Sequence, residues 1–352
     1  MVETAQFIPV EKAQSPFFVG VDLGGTSVKV GVVDDLGRTL SWLAVPTEPE
    51  KGPEDAARRM GEAVRDAIRQ ARLESAAVAR VGLGSPGPVD AQSGTLVAPV
   101  NLKGWDGFAM GPWLGHHCGL PVTLANDAIA ATYGEYWVGS GRGFHSMILL
   151  TLGTGIGSGI IIGDLSVDGE NSYGAECGHI IINDRDDARL CGCGKTGHLE
   201  AYASATAVAR RAQEGLAAGR ESSLRRRVAE GVELDAKLIA DEAAAGDAFS
   251  LEIIDETARF LGIGITSLLH TIDPNGVLLA GAMTFGGNEN ELGRRFLAGI
   301  KQEIQRRAFP IIAERLVVDF ATLGGDAGYI GAAGIARLEH HKANSAATRG
   351  GS

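Results

Sequence analysis

Between residues 176 and 200 this chain gathers soft metal ligands and carboxylates: Glu176-Cys177-Gly178-His179, then Cys191-Gly192-Cys193-Gly194-Lys195-Thr196-Gly197-His198-Leu199-Glu200. Cysteines this close in sequence rarely bridge each other, but with His179 and His198 they complete a tetrahedral zinc site. Four protein ligands close the coordination sphere, so such an ion is structural and leaves no position for hydrolysis. It would stiffen a loop that presents Glu176 and Glu200, acceptors suited to a polyhydroxylated substrate. Cys177 is a spare thiol, either a competing ligand or, more commonly for such a residue, a small buried hydrophobe.

The rest of the composition sets outer bounds. A chain of 352 residues with 45% hydrophobic and 21% charged residues has room for two globular domains. Its net charge of −11 argues against a nucleic-acid surface, which needs clustered Lys and Arg. Nucleotide binding stays open, because backbone N–H groups and a metal ion supply the positive charge there. Four cysteines without a secretory leader point to a reducing, cytoplasmic setting, and no stretch approaches a membrane span. The first fifteen residues and the small-residue tail 343–352 read as disordered ends.

Apolar runs at Phe17–Val21 and Val28–Val33 flank a Gly-Gly turn and predict a hairpin. A third strand at Thr39–Val45, an amphipathic helix over Glu54–Leu73 and a strand at Ala79–Leu83 follow, then Val122–Ala125 before a helix capped by Asn126 or Asp127. The second half echoes the first: Met147–Leu152, a Gly-rich turn, and Gly159–Ile162. Helices are expected over Leu199–Gln213, Leu234–Ala244, Ser250–Thr271, Glu291–Arg307 and Gly328–His340, with strands at Gly276–Ala280 and Leu316–Phe320. Two α/β halves that each open with a Gly-turned hairpin suggest a nucleotide held in a cleft between them. The division is placed at residue 125, giving a smaller domain 1–125 and a larger domain 126–327.

Taken together, the zinc segment and four other ordered motifs resemble the ROK family of sugar kinases and repressors, over about Phe17 to Leu338. That family carries C-x-C-G-x-x-G-C-x-E after E-x-G-H; here His198 stands in place of the third cysteine, so the resemblance implies a Cys2His2 site formed by His179, Cys191, Cys193 and His198. The fold it implies is the two-domain actin-like ATPase architecture shared by actin, sugar kinases and heat-shock ATPases, with the helix 328–340 returning to the first domain. Asp22-Leu23-Gly24-Gly25-Thr26, with Lys29 beyond it, resembles the first phosphate motif of the family. Glycines there let N–H groups reach phosphate oxygens, and a strand-end Asp can hold Mg²⁺ through water. Gly153-Thr154-Gly155-Ile156-Gly157 resembles the second such turn, and Gly281, following Gly276–Ala280, resembles the segment that contacts adenosine.

The same resemblance implies an ATP- and Mg²⁺-dependent kinase acting on a hexose. Asp127 matches the family's base, and Asn101, Asn126, Asp127, Glu176, His179 and Glu200 its sugar ligands. Ala125 and Ile129 depart from the usual Glu and Asn. Glucose phosphorylated at its 6-hydroxyl is the expected acceptor; an N-acetylated hexosamine or fructose is the alternative. A sugar-responsive repressor is a second class, disfavoured by the short stretch before Phe17 and by the acidic balance. A binding or chaperone-type ATPase is a third, which would leave Glu176 and Glu200 without a polyol. A homo-oligomer, dimer or tetramer, is implied by the family and not by these residues.

Overall fold

The computed structural model describes residues 7–99, 102–170 and 172–349. They fall into two compact units: the first comprises 1–143, 165–174 and 322–352, the second 144–164 and 175–321.

The first unit begins with strands β1 (Phe17–Leu23), β2 (Ser27–Val33) and β3 (Thr39–Pro46), followed by helix α1 (Pro53–Gln70) and strand β4 (Val78–Ser85). Short strands β5 (Val89–Asp90) and β6 (Thr95–Leu96), helix α2 (Met110–Cys118), strand β7 (Val122–Asn126) and helix α3 (Asp127–Trp137) complete its first run. The main sheet has the order β3-β2-β1-β4-β7; β1, β2 and β3 are antiparallel and β4 and β7 lie parallel to β1. One face packs α1 and α2 on the sheet, with Met60 of α1 in one buried cluster with Val19, Val21 and Leu83. The other face carries Phe18 and Val33 against helix α11 (Ala327–Arg349).

Alternation along β1 explains this two-sided burial: neighbouring side chains point to opposite faces, and both faces are covered, so the strand reads as a continuous apolar run. α11 approaches so closely that a Cβ on Gly20 would overlap the carbonyl of Tyr329, and one on Gly331 the carbonyl of Ala130 in α3. At that second crossing backbone meets backbone, and only the absent side chain makes room.

The second unit carries β8 (Ser146–Leu152) and β9 (Ile156–Ile162), with the short β10 (Leu165–Ser166) following in the chain. Helices α4 (Glu200–Ala203), α5 (Ala205–Ala217), α6 (Leu224–Ala229), α7 (Ala236–Ala244) and α8 (Ala248–Ile272) come next, then β11 (Gly276–Ala280), α9 (Glu291–Arg307), α10 (Pro310–Arg315) and β12 (Val317–Phe320). Its own strands follow the order β9-β8-β11-β12, with β8 and β9 antiparallel and the others parallel.

Four expectations change. The first unit runs to Gly143 instead of 125, because α3 packs on α11 and stays with the first sheet. The single helix expected over Leu199–Gln213 is two: Ser204 turns extended and caps α5, its hydroxyl accepting from Ala207 N at 3.2 Å. The tail expected to be disordered from 343 is helical to Arg349 in α11, whose alanine-rich sequence suits a helix, and 350–352 lie outside the described residues. At the other end, 7–15 are described and include a 3₁₀ turn at Val10–Lys12, whereas 1–6 are outside. Among the described residues no helix is long and apolar enough to cross a membrane.

Gly331→Ala is expected to lower the stability of the first unit by about 1–3 kcal/mol, the usual cost of overpacking a close contact. Urea unfolding followed by circular dichroism checks it; an unchanged midpoint would contradict the close crossing.

Candidate functional site

In the first unit the Gly24–Thr26 turn joins β1 to β2, held by Gly24 N donating to Ser27 O at 3.0 Å and by Thr47 Oγ1 donating to Gly24 O at 2.6 Å. Asp22 lies at the end of β1 with Gly328, in the opening turn of α11, directly against its carboxyl. Burial raises the pKa of Asp22, and the charge of Lys29 opposes that rise. Lys29 Nζ donates to Gly325 O at 2.7 Å and exerts the same opposing effect on Asp326, which burial also raises. The sequence alone did not single out Gly325 and Asp326, because they lie some 300 residues from Lys29 in the chain. The only hint is that they immediately precede the last helix.

Asn126 and Asp127 divide the work at the junction of β7 and α3. Asn126 is the cap: its Oδ1 accepts from Ala128 N at 2.9 Å and Ile129 N at 3.2 Å, and its Nδ2 donates to Gly87 O at 2.9 Å. That ties the Ser85–Asp90 segment to the start of the helix, so the amide's hydrogen bonds are largely spent on structure. Asp127 is the first residue of α3, half-buried, with one oxygen accepting from Ala128 N at 2.8 Å. A carboxylate at a helix N-terminus is stabilised in its charged form by the helix dipole. Trp105 is core, 1% exposed, its indole N–H donating to Pro49 O at 3.3 Å. Asn101 lies outside the described residues.

In the second unit the four proposed metal ligands come together. The ligand atoms of His179, Cys191, Cys193 and His198 lie within 4.8 Å of one another. His179 Nδ1 is 3.3 Å from His198 Nδ1, Cys191 Sγ is 3.8 Å from His179 Nδ1, and Cys193 Sγ is 3.3 Å from His198 Nδ1. Tetrahedral zinc, with bonds near 2.1 Å to nitrogen and 2.3 Å to sulfur, requires ligand–ligand edges of about 3.4–3.8 Å, so the donor set fits the ion. A knuckle shapes it: Gly194 N donates to Cys191 O at 3.0 Å and Cys191 N to Lys195 O at 2.8 Å, and bridges join Ile181 to His198 and Leu190 to Thr196. Without an ion, burial pushes the Cys191 thiol up to about 12, and burial lowers His198, with the facing His179 adding to it. A neutral imidazole is the form that binds metal. Cys177 is outside the cluster, buried, with its N–H on Ser158 Oγ at 2.9 Å.

Glu200 links this cluster to the second glycine turn. Its Oε2 accepts from Ile156 N at 2.9 Å and its Oε1 lies 3.4 Å from Cys191 Sγ. A Cβ on Gly155 would overlap Oε2, so the glycine admits the carboxylate. The turn is further held by Ala205 N donating to Gly153 O and Thr206 Oγ1 donating to Thr154 O, both at 2.8 Å. Gly157 continues the chain as the second residue of β9. Gly281, at φ +94°, presses on the carbonyl of Leu152 where a side chain would overlap. Glu176 is solvent-accessible, yet the protein around its carboxyl raises its pKa, with His179 opposing and the charge of Glu200 adding to the rise. The two carboxylates therefore share one electrostatic neighbourhood, and His179, with Nδ1 turned to the cluster, keeps Nε2 for another partner.

Comparison with known proteins places these features in a lineage. The model of the ROK family matches residues 18–339. A glucokinase of Halalkalibacterium halodurans is 34% identical over 325 residues, covering 92% of this chain and 96% of that protein. Among solved structures, a ROK family glucokinase from Streptomyces griseus in complex with glucose and AMPPNP is 34% identical, with a TM-score of 0.71 over 92% of this chain and 99% of that one. A ROK hexokinase from Thermus thermophilus is 33% identical, with a TM-score of 0.75 over 93% and 99%.

Purified protein is expected to hold one zinc per chain at neutral pH by elemental analysis. Cys191→Ser should lose it, and wild type should lose it on acidification, because protons compete for thiolate and imidazole. Zinc-free protein purified from zinc-replete cells would contradict the assignment.

Proposed function

We propose, from the premise that the chain belongs to the ROK family, that it transfers the γ-phosphoryl group of ATP to the 6-hydroxyl of glucose. It has the actin-like ATPase fold of the ROK sugar kinases, and it is an ATP-dependent hexokinase. The observation that carries the reading is Glu200, whose carboxylate accepts from Ile156 N–H in the second glycine turn with one oxygen and lies beside Cys191 of the four-ligand cluster with the other. Glucose is favoured over an N-acetylated hexosamine by the relatives at about a third identity, which are named glucokinases.

Asp127 is the base. Its carboxylate takes the proton of the sugar hydroxyl as that oxygen forms its bond to the γ-phosphorus, and the bond to the bridging oxygen breaks to release ADP. It stands at the head of α3, and Asn126 fixes that place by capping the helix. Glu176, Glu200 and the free Nε2 of His179 are the acceptors for the remaining sugar hydroxyls, joined by Asn101. Asn126 serves the sugar through the base it positions. Gly24, Gly25 and Thr26 in one turn, and Gly153, Thr154 and Gly155 in the other, offer backbone N–H groups to the phosphates, while Gly281 supports the close approach of the adenosine segment. When bound, Mg²⁺ would neutralise charge on the phosphates, and Asp22 would hold it through water, the charge of Lys29 opposing the rise that burial causes in that carboxyl's pKa. Zinc, which His179, Cys191, Cys193 and His198 would hold, would supply rigidity alone. Four free cysteines, two of them in that cluster, suit a reducing compartment, and we place the enzyme in the cytoplasm.

Asp127→Asn is expected to cut glucose-dependent ADP formation by about 10²–10⁴-fold, the range for loss of a general base. Glucose affinity by calorimetry should stay within a few fold. Turnover near wild type would remove Asp127 from the role.

A further inference from the structure

Glu135, in the last turn of α3, is fully buried, and the reading above gives it no task. Its Oε1 accepts from Leu323 N at 2.6 Å. Its Oε2 accepts from Ser140 N at 2.9 Å, Ser140 Oγ at 3.0 Å and Thr322 Oγ1 at 3.4 Å. The backbone carbonyl of the same residue accepts from Gly139 N at 3.1 Å and Gly141 N at 2.9 Å, and a Cβ on Gly139 would overlap Oε2. Ser140 lies just inside the first point where the chain leaves the first unit, after Gly143; Thr322 and Leu323 are where it returns for the last time, residues 165–174 having rejoined the first unit in between. One buried carboxylate thus gathers the outgoing and the returning segments, which are separated by some 180 residues of sequence.

We propose that Glu135 is a positioning residue that ties the chain's first exit from the first unit to its last return, so that both segments hold the arrangement that turnover on hexose requires. The inference rests on the hexokinase reading, since that reaction requires a competent arrangement assembled around the sugar. A carboxylate suits the task because it offers two acceptor oxygens and no donor, matching N–H groups on both segments at once. An amide of the same shape cannot: wherever its NH₂ is placed, it faces either Ser140 N–H or Leu323 N–H, and one segment comes loose. The loosened protein spends less time in the competent arrangement, which raises the apparent KM in inverse proportion to that fraction and lowers kcat with it.

The test is Glu135→Gln, with Ser140→Ala as a milder variant that touches only the outgoing segment. Kinetics on glucose are read beside amide exchange at Ser140 and Leu323. For Glu135→Gln, KM is expected to rise about tenfold and kcat to fall several-fold. Exchange should quicken at one or both amides while β1 and β4 keep their protection. Ser140→Ala should show the same direction at a fraction of the size. A folded Glu135→Gln with wild-type KM and unchanged exchange overturns the proposal, as does a fall in kcat at constant KM, which is the mark of fewer active molecules. If Glu135→Gln does not fold, Ser140→Ala decides: a wild-type KM there overturns the proposal. Wild-type protein that phosphorylates no hexose would instead overturn the functional reading, and the exchange measurement would still decide whether Glu135 holds the two segments.

Discussion

One hydrogen bond, from Ile156 N–H to Glu200 Oε2, holds the second unit's chemistry in register. The turn before Ile156 has a single side chain, that of Thr154, between two glycines, and the conformational freedom of those glycines is the cost of letting N–H groups approach a ligand closely. Glu200 removes that freedom from one side, and its other oxygen lies beside Cys191 in the four-ligand cluster. Glu200 also follows the cluster residue His198 by two positions, and Ala201 N donates to His198 O, so rigidity passes from cluster through this backbone to carboxylate and turn. A charged acceptor is suited to the task, since such bonds are about twice as strong as neutral ones.

The first unit meets the same need with different means. No metal cluster of His, Cys and acidic groups is found among its described residues; instead, backbone packs on backbone. α11 lies on β1 where Gly20 leaves space and crosses α3 where Gly331 does, which brings Gly328 against Asp22 and Gly325 within reach of Lys29. The helix carrying Asp127 is fixed at its head by Asn126 and at its tail by Glu135. The residue proposed above as the base is then held by polar contacts at both ends of its element, the arrangement that precise placement of a reacting group demands.

Much of this was legible in the chain. Apolar runs around Gly-Gly and Gly-Thr-Gly gave both hairpins, because strands covered on two faces announce themselves by continuous hydrophobicity. The ligand set of the cluster was legible from residue type and spacing, since His179, Cys191, Cys193 and His198 are close in sequence as well as in space. α2 was missed, because Met110–Cys118 contains two glycines and a proline and shows no helical period. The break at Ser204 was hidden in an alanine-rich run where propensity favours one continuous helix. The tie between Lys29 and Gly325 and the Glu135 clamp were beyond reach for a simpler reason: their partners are separated by 296 and 188 positions, and nothing local encodes such pairing.

The account stands or falls on whether the metal cluster governs the glycine turn through Glu200. The direct measurement is amide exchange at Ile156 in zinc-loaded protein and in protein stripped by a chelator, both without substrates. The account predicts faster exchange at Ile156 on removal of the ion, with the amides of β8 unchanged, because the backbone that runs from the ligand His198 to Glu200 loses its anchorage while the sheet does not. Equal exchange at Ile156 in the two forms would contradict it.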